Sequence, residues 1–350
     1  MDKIIFATVL VLFPFGQLFK IGTINAFDVA VLLLAIFTLF KKPRYPNWYR
    51  YFVNFLLFCI FGLVVNSSLF TFHSSLYVLR LWSYSMIAVY VANYFRNHKS
   101  LILNLMSLAS VAAVFGFIQY FLYPDFRALA EFGWDDHYLR MVGTFFDPAF
   151  LGLILVLGAI LAFYYKKYLT FLFLVFGVFL TYSRASFLVL FVFFIIDYFK
   201  NKNLPKFLIL NSLFLILLLV PKNIGEGTTI TRTASGINKL QNYKQSFEII
   251  KTSALYGIGF NNLCKFKNGD VNSHSCSGLD SSILFLFATT GVVGAILLLY
   301  VISLMPGSLE LKASFVVVLL HGFFTNSLFY PHIMFWLFSL VGLGSKKDLK

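Results

Sequence analysis

Long apolar runs separated by short polar connections dominate the chain. They fall at 4–19, 24–40, 51–69, 76–95, 101–122 and 148–165, then at 168–182, 185–199, 207–220, 282–304, 314–328 and 333–344. Each approaches the ~20 residues that an α-helix needs to cross a bilayer. The pattern predicts an all-α polytopic membrane protein with about twelve transmembrane helices. Residues 1–350 read as a single integral membrane domain. Between the ninth and tenth runs the pattern changes, because 221–279 form one long polar connection. Within it, the stretch KLQNYKQSFEIIK at 239–251 sets Leu240, Tyr243, Phe247 and Ile250 at helical spacing. That predicts an amphipathic helix lying on the membrane surface.

Composition agrees and excludes the alternatives. Apolar residues make up 59% of the 350 positions and charged residues 12%, with 45 phenylalanines. No soluble core hides that much apolar surface, so a soluble enzyme, a disordered chain and a disulfide scaffold are excluded. The first run lacks a small-residue cleavage site and reads as a span, not a signal peptide. The formal net charge of +14 would suggest nucleic acid in a soluble protein. Here it reads as the positive bias of cytoplasmic loops, and no nucleic-acid partner is expected.

An even number of spans puts both termini on one side. If that side is cytoplasmic, the inner segments hold sixteen Lys and Arg, and the short outer loops hold four: Lys20, Arg127, Arg140 and Arg184. The asymmetry makes both ends cytoplasmic and 221–279 an outer loop. That loop carries seven basic against three acidic residues, net +4. Loops of this length translocate regardless of charge, so the excess either serves an anionic ligand or means nothing.

Ionisable groups at membrane depth mark candidate function. Arg184 is the first. The seventh and eighth runs share only residues 168–199, so two helices of about 24 Å each must turn back inside a core of about 30 Å. The T-Y-S-R-A-S apex then sits below the outer surface and Arg184 enters a wet cavity; the structural alternative is an arginine snorkelling to headgroups. Arg140 opens R-M-V-G-T-F-F-D-P, in which Asp147 and Pro148 have the form of a helix N-cap and first helical residue. Asp280, at the mouth of the tenth span, is either an N-cap or a general base. Arg80 lies in the outer part of the fourth span with no counter-ion nearby, and awaits either a structural partner or a ligand phosphate.

These groups gather toward the outer face, whereas a secondary transporter places its site near the midplane. There is no Gly-rich phosphate loop, no zinc spacing and no D-x-D. No metal or other cofactor is therefore expected, and arginines would hold any bound diphosphate. Cys264 and Cys276 share the outer loop; in an oxidising compartment they either pair or remain two thiols.

From Arg140 onward the chain resembles the bacterial O-antigen ligase and polymerase superfamily, metal-independent GT-C-like glycosyltransferases of the inner membrane. R-M-V-G-T-F-F-D-P is similar to the family's R-x-x-G-T-F-x-N-P, and S-R-A-S-F-L to its S-R-G-A and R-x-x-x-L patterns. Y-G-I-G-F at Tyr256–Phe260 is similar to P-x-x-G-x-G-x. D-S-S-I-L-F-L-F-A-T-T-G-V-V-G aligns with H-[N/S/Q]-x9-G-x-x-G. Asp280 falls on the histidine, Ser281 on the second position, and Gly291 and Gly294 on the glycines. Two departures stand out: Asp280 replaces the histidine, and the loop arginine aligns with Lys239, while Arg232 lies seven residues earlier.

The resemblance implies transfer of glycans from undecaprenyl diphosphate on the periplasmic face, with Arg184 and Asp280 catalytic. Arg140, Arg232, Lys239, Arg80 and Ser281 would bind substrate. The implied partners are the lipid-linked oligosaccharide, an acceptor glycan or lipid A–core, the bilayer and other polysaccharide-assembly proteins. Loss of the histidine favours a polymerase of O-antigen or another surface polysaccharide. The alternatives are a ligase, a lipid-linked oligosaccharide flippase and a membrane scaffold.

Overall fold

The computed structural model describes residues 2–21, 24–95, 97–202, 212, 228, 234–269, 276, 278 to 280 and 281–349. Helices account for nearly all of its regular structure. They are α1 (Asp2–Leu12), α2 (Ala26–Phe40), α3 (Asn47–Val65), α4 (Phe72–Tyr94) and α5 (His98–Leu122), then α6 (Pro148–Tyr164), α7 (Tyr168–Thr181) and α8 (Arg184–Asn201). Within the long connection lie α9 (Ala234–Thr252) and the short α10 (Leu263–Phe266), and after it come α11 (Ser282–Leu304), α12 (Leu309–His321) and α13 (Pro331–Ser345). Two strands of two residues, β1 (Lys20–Ile21) and β2 (Ile24–Asn25), form a hairpin between α1 and α2.

α3, α4, α5 and α11 are long and apolar enough to cross a membrane; α2, α6 and α7 are shorter apolar helices. This is a helical membrane protein. The expected span at 207–220 lies outside the described residues except for Ser212, and the other expected runs overlap a helix.

α6 and α13 sit at the centre. α6 buries every residue from Leu151 to Phe163 and packs against α5, α7, α8 and α12. α13 buries His332 through Leu343 against α4 and α12. A helix apolar on every side is one surrounded by protein or lipid. Lipid tails are as apolar as leucine, so packing and close backbone approach hold such helices together. A Cβ on Gly158 of α6 would stand 2.4 Å from the Ala109 Cβ of α5, a measure of how near these two helices come.

Two boundaries differ from expectation. The run at 4–19 is not one helix, because α1 stops at Leu12 and Pro14 and Gly16 turn the chain. There Gln17 N donates to Thr144 O (2.8 Å) and the Thr144 hydroxyl donates to Pro14 O (2.6 Å). Proline supplies no backbone donor, and a Cβ on Gly16 would meet Thr144 O at 2.4 Å. The run at 314–328 is likewise split. α12 ends at His321, and 322–330 form a turn that receives side chains from α9 and the start of α11.

Candidate active site

The site assembles at one end of the bundle, where α7 turns into α8. α7 has 14 residues, about 21 Å, so the turn comes early, as its short run requires. Tyr182 adopts the left-handed conformation, φ 50°. The Ser183 hydroxyl then caps α8 by accepting from Ser186 N (3.3 Å), which makes Arg184 the first helical residue. α6 approaches closely here, because at Gly152 a Cβ would lie 2.4 Å from Ser186 Oγ. Asp147 caps α6 by accepting from Ala149 N (2.6 Å) and Phe150 N (3.2 Å).

The R-M-V-G-T-F segment docks on this turn. Met141 N donates to Leu180 O (2.8 Å), Arg140 Nε donates to Thr181 O (3.1 Å), and Arg140 Nη2 makes a longer contact of 3.5 Å to Tyr182 O. A guanidinium at the carbonyl end of a helix is electrostatically favoured. Gln119 of α5 braces the same segment: its Oε1 accepts from Val142 N (2.8 Å) and Gly143 N (3.1 Å).

Across the site, the helix cap corrects one alternative. Ser281, not Asp280, caps α11, accepting from Leu284 N (3.4 Å). The Ser281 hydroxyl also donates to Gly322 O (3.0 Å), and the residue is buried. Its functional groups are thus committed to structure. Asp280, half-buried, precedes the cap and is held by its backbone N donating to Asn242 Oδ1 of α9 (3.0 Å).

α9 crosses α11. Lys239 Nζ donates to Phe324 O and the Tyr243 hydroxyl to Phe323 O. The helix is where the sequence predicted it, but its faces differ. Tyr243, Ile249 and Ile250 turn inward, while Ile237, Leu240 and Phe247 are exposed.

Charge binds these segments into one site. Asp280 is within electrostatic reach of Asp135, Lys239, Tyr243 and Lys267, and Lys239 also feels Asp147, Arg184 and Asp135. Arg140 lies near both Asp135 and Asp147. Burial lowers the Lys239 ammonium from its ordinary value, opposed by Asp280 and Asp147 and reinforced by Arg184. The crowding protein raises the Asp135 carboxyl, and the Asp280 and Asp136 charges raise it further. Asp135 escaped the sequence reading; the signal was an acid pair, Asp135–Asp136, just before the Arg140 segment.

Beneath the charges runs a buried polar relay. His321 contacts Ser327 Oγ through Nδ1 (2.6 Å) and Ser186 Oγ through Nε2 (3.4 Å), and Ser186 Oγ donates to Ser183 Oγ (2.9 Å). It links the start of α8 to the 322–330 turn.

Arg140, Arg184, Lys239 and Asp280 thus come together, and Arg80 does not join them. Contrary to expectation it has a counter-ion: Arg80 Nη2 lies 2.6 Å from Asp28 Oδ2, and the Tyr84 hydroxyl donates to Asp28 Oδ1 (3.0 Å). The carboxylate comes from α2, 52 residues away in sequence. Arg232 lies outside the described residues. Cys264 and Cys276 form a disulfide.

No curated protein matches the chain. Residues 169–299, from α7 into α11, match the model of the family described as O-Antigen ligase, and that match supports placing the chain in the O-antigen ligase and polymerase superfamily.

Proposed function

We propose that this protein is a membrane glycosyltransferase that extends or transfers glycans carried on undecaprenyl diphosphate. It works at the outer face of a bacterial inner membrane and acts as a polymerase of O-antigen or another surface polysaccharide. The observation that carries this reading is the meeting of Arg140, Arg184, Lys239 and Asp280, drawn from four separate segments, around one end of the bundle. Those segments are the ones in which the motif resemblance lies.

The chemistry follows from the charges. Arg184 and Lys239 hold the lipid-linked diphosphate and stabilise it as it leaves, an electrostatic role. Arg140 positions the α7–α8 turn by its bonds to Thr181 O and Tyr182 O and adds its charge to the same field. Asp280 orients the incoming sugar hydroxyl and takes its proton. Asp135 is its neighbour, and burial together with the Asp280 charge favours the protonated form of Asp135. The glycosidic C–O bond to the diphosphate breaks as the new one forms, and the diphosphate departs with the electron pair.

The test is Arg184→Ala in cells, following the length distribution of surface glycan, with membrane insertion checked separately. Loss of a polymerase leaves single-repeat glycan on lipid A–core. Loss of a ligase leaves none and accumulates lipid-linked chains, which would reassign the acceptor. Unchanged glycan would overturn the reading.

A further inference from the structure

A second cationic centre lies at the same end of the molecule, outside the site just described. Lys20 belongs to β1 and pairs across the hairpin with Asn25. Asn25 N donates to Asp28 Oδ2 (3.4 Å), and the same oxygen is 2.6 Å from Arg80 Nη2. The hairpin therefore delivers the Lys20 ammonium beside the Arg80–Asp28 pair.

Among the described residues, two cations face one carboxylate, and that carboxylate accepts from Arg80, Tyr84 and Asn25. The centre is reachable, since the Arg80 and Asp28 side chains keep 16% and 12% of their surface, and Lys20 is half-buried. Its walls are aromatic: Arg80 lies 4.6 Å from the Tyr77 ring and Lys20 4.8 Å from the Trp134 ring. Burial and the nearby Arg80 charge lower the Lys20 ammonium, and the Asp28 carboxylate opposes them only in part.

The two centres share a wall. Trp134 sits over Lys20 and adjoins Asp135 of the first site, and its ring meets Phe146 edge-on (5.3 Å) just before the Asp147 cap. Tyr330, stacked on Phe150 at 3.9 Å, lies within electrostatic reach of both Asp147 and the Asp28–Arg80 pair.

We infer that Lys20 and Arg80 form a second anion subsite, which takes the phosphate end of the acceptor, a second membrane-anchored glycolipid, while Arg184 and Lys239 hold the donor. The inference rests on the transferase reading above. It explains why one face of the molecule builds two cationic centres separated by an aromatic partition. Sugars stack on aromatic rings, so an acceptor glycan could run along Trp134 toward Asp280 once its phosphate is held at Lys20.

The experiment uses the full chain in phosphatidylcholine nanodiscs with undecaprenyl diphosphate as the probe, read by native mass spectrometry. Wild type should bind two probe molecules. Lys20→Gln should weaken one of them by about tenfold or more, the scale of a charge-assisted phosphate contact, with Lys20→Arg restoring it. Arg184→Ala should remove the other. A single bound probe, sensitive to Arg184→Ala and indifferent to Lys20→Gln, overturns the second subsite and leaves the transferase reading standing. No bound probe on a folded chain overturns both. A parallel arm supplies phosphatidylglycerol without the diphosphate. Should that lipid occupy the Lys20 centre and the diphosphate fail to displace it, the centre is a headgroup anchor and the inference falls.

Discussion

Gly257 and Gly291 lock two segments together. A Cβ on Gly257 would stand 2.4 Å from the Thr289 carbonyl carbon, and one on Gly291 would stand 2.3 Å from Leu255 O. Both have positive φ, 70° and 64°, and Gly291 breaks the helical path inside α11 with ψ −170°. The kink frees a donor and an acceptor that a straight helix would pair with each other. Val292 N donates instead to Ala254 O (2.9 Å), and Ala288 O accepts from Ile258 N (3.0 Å). The Y-G-I-G-F segment is thereby fastened to the helix that Asp280 precedes.

Gly291→Ala should therefore be severe. Left-handed backbone costs a residue with a Cβ roughly 1–2 kcal/mol, and here the obstacle is a main-chain carbonyl that cannot swing aside. A total loss on the order of 3 kcal/mol or more, with loss of glycan extension, is expected in detergent-solubilised thermal unfolding. Gly236→Ala is the control. Among the described residues nothing lies within 4 Å of its Cβ position on α9, so it should be neutral or gain about 0.5–1 kcal/mol. Equal effects of the two changes would refute the lock.

The sequence made the helices legible because apolar runs of membrane length have few other solutions. It blurred where a run hides a break: Pro14 and Gly16 sit inside apolar residues, and their effect depends on Thr144, 130 positions away. Arg140, Arg184, Lys239 and Asp280 stood out as charges among apolar neighbours. Their mutual approach did not, since it depends on how α7, α9 and α11 pack. The Arg80–Asp28 pair was hidden for the same reason. At Asp280–Ser281 either residue makes a good cap, and the register of α11 decides for serine. The outward turn of Leu240 and Phe247 reflects Lys239 and Tyr243 being drawn to the carbonyls of Phe324 and Phe323.

His321 is a positioning residue whose removal should be felt at Arg184. His321→Phe keeps a ring in the buried space but takes both polar contacts from Ser186 and Ser327. Loss of a buried partner costs about 1–3 kcal/mol. The α8 start would also lose its tie to the 322–330 turn. The expected result is reduced thermal stability together with a lower turnover number. A stable variant with full turnover would show the relay to be dispensable.

Reductant should act on this protein. The disulfide joins Cys264 to Cys276, 12 residues apart, and between it and Asp280 the Lys267 ammonium donates to Gly278 O (3.1 Å). Closing a loop of this size contributes about 2–3 kcal/mol. A Cys264→Ser, Cys276→Ser double variant, or wild type in dithiothreitol, should unfold at lower temperature and lose activity in parallel. Maleimide labelling should add two groups only after reduction, apart from any reaction at buried Cys59. Labelling of all three cysteines without reductant would contradict the bridge.

Lys239 should set the alkaline limit of activity. Its ammonium titrates below the ordinary lysine value because burial disfavours the charge. Between its folded and unfolded values the native chain has already lost a proton that the unfolded chain keeps, so this group makes stability rise with pH through that window. Activity should move the other way, since a neutral amine no longer grips a diphosphate. Thermal stability and turnover are therefore expected to diverge as pH climbs, with KM for the lipid-linked donor rising first. Lys239→Arg keeps its charge throughout this range and adds a bidentate fork. Its alkaline limb should shift upward and the Lys239 contribution to the stability slope should vanish. A variant whose pH–rate profile overlays that of wild type would show that Lys239 does not hold the leaving diphosphate.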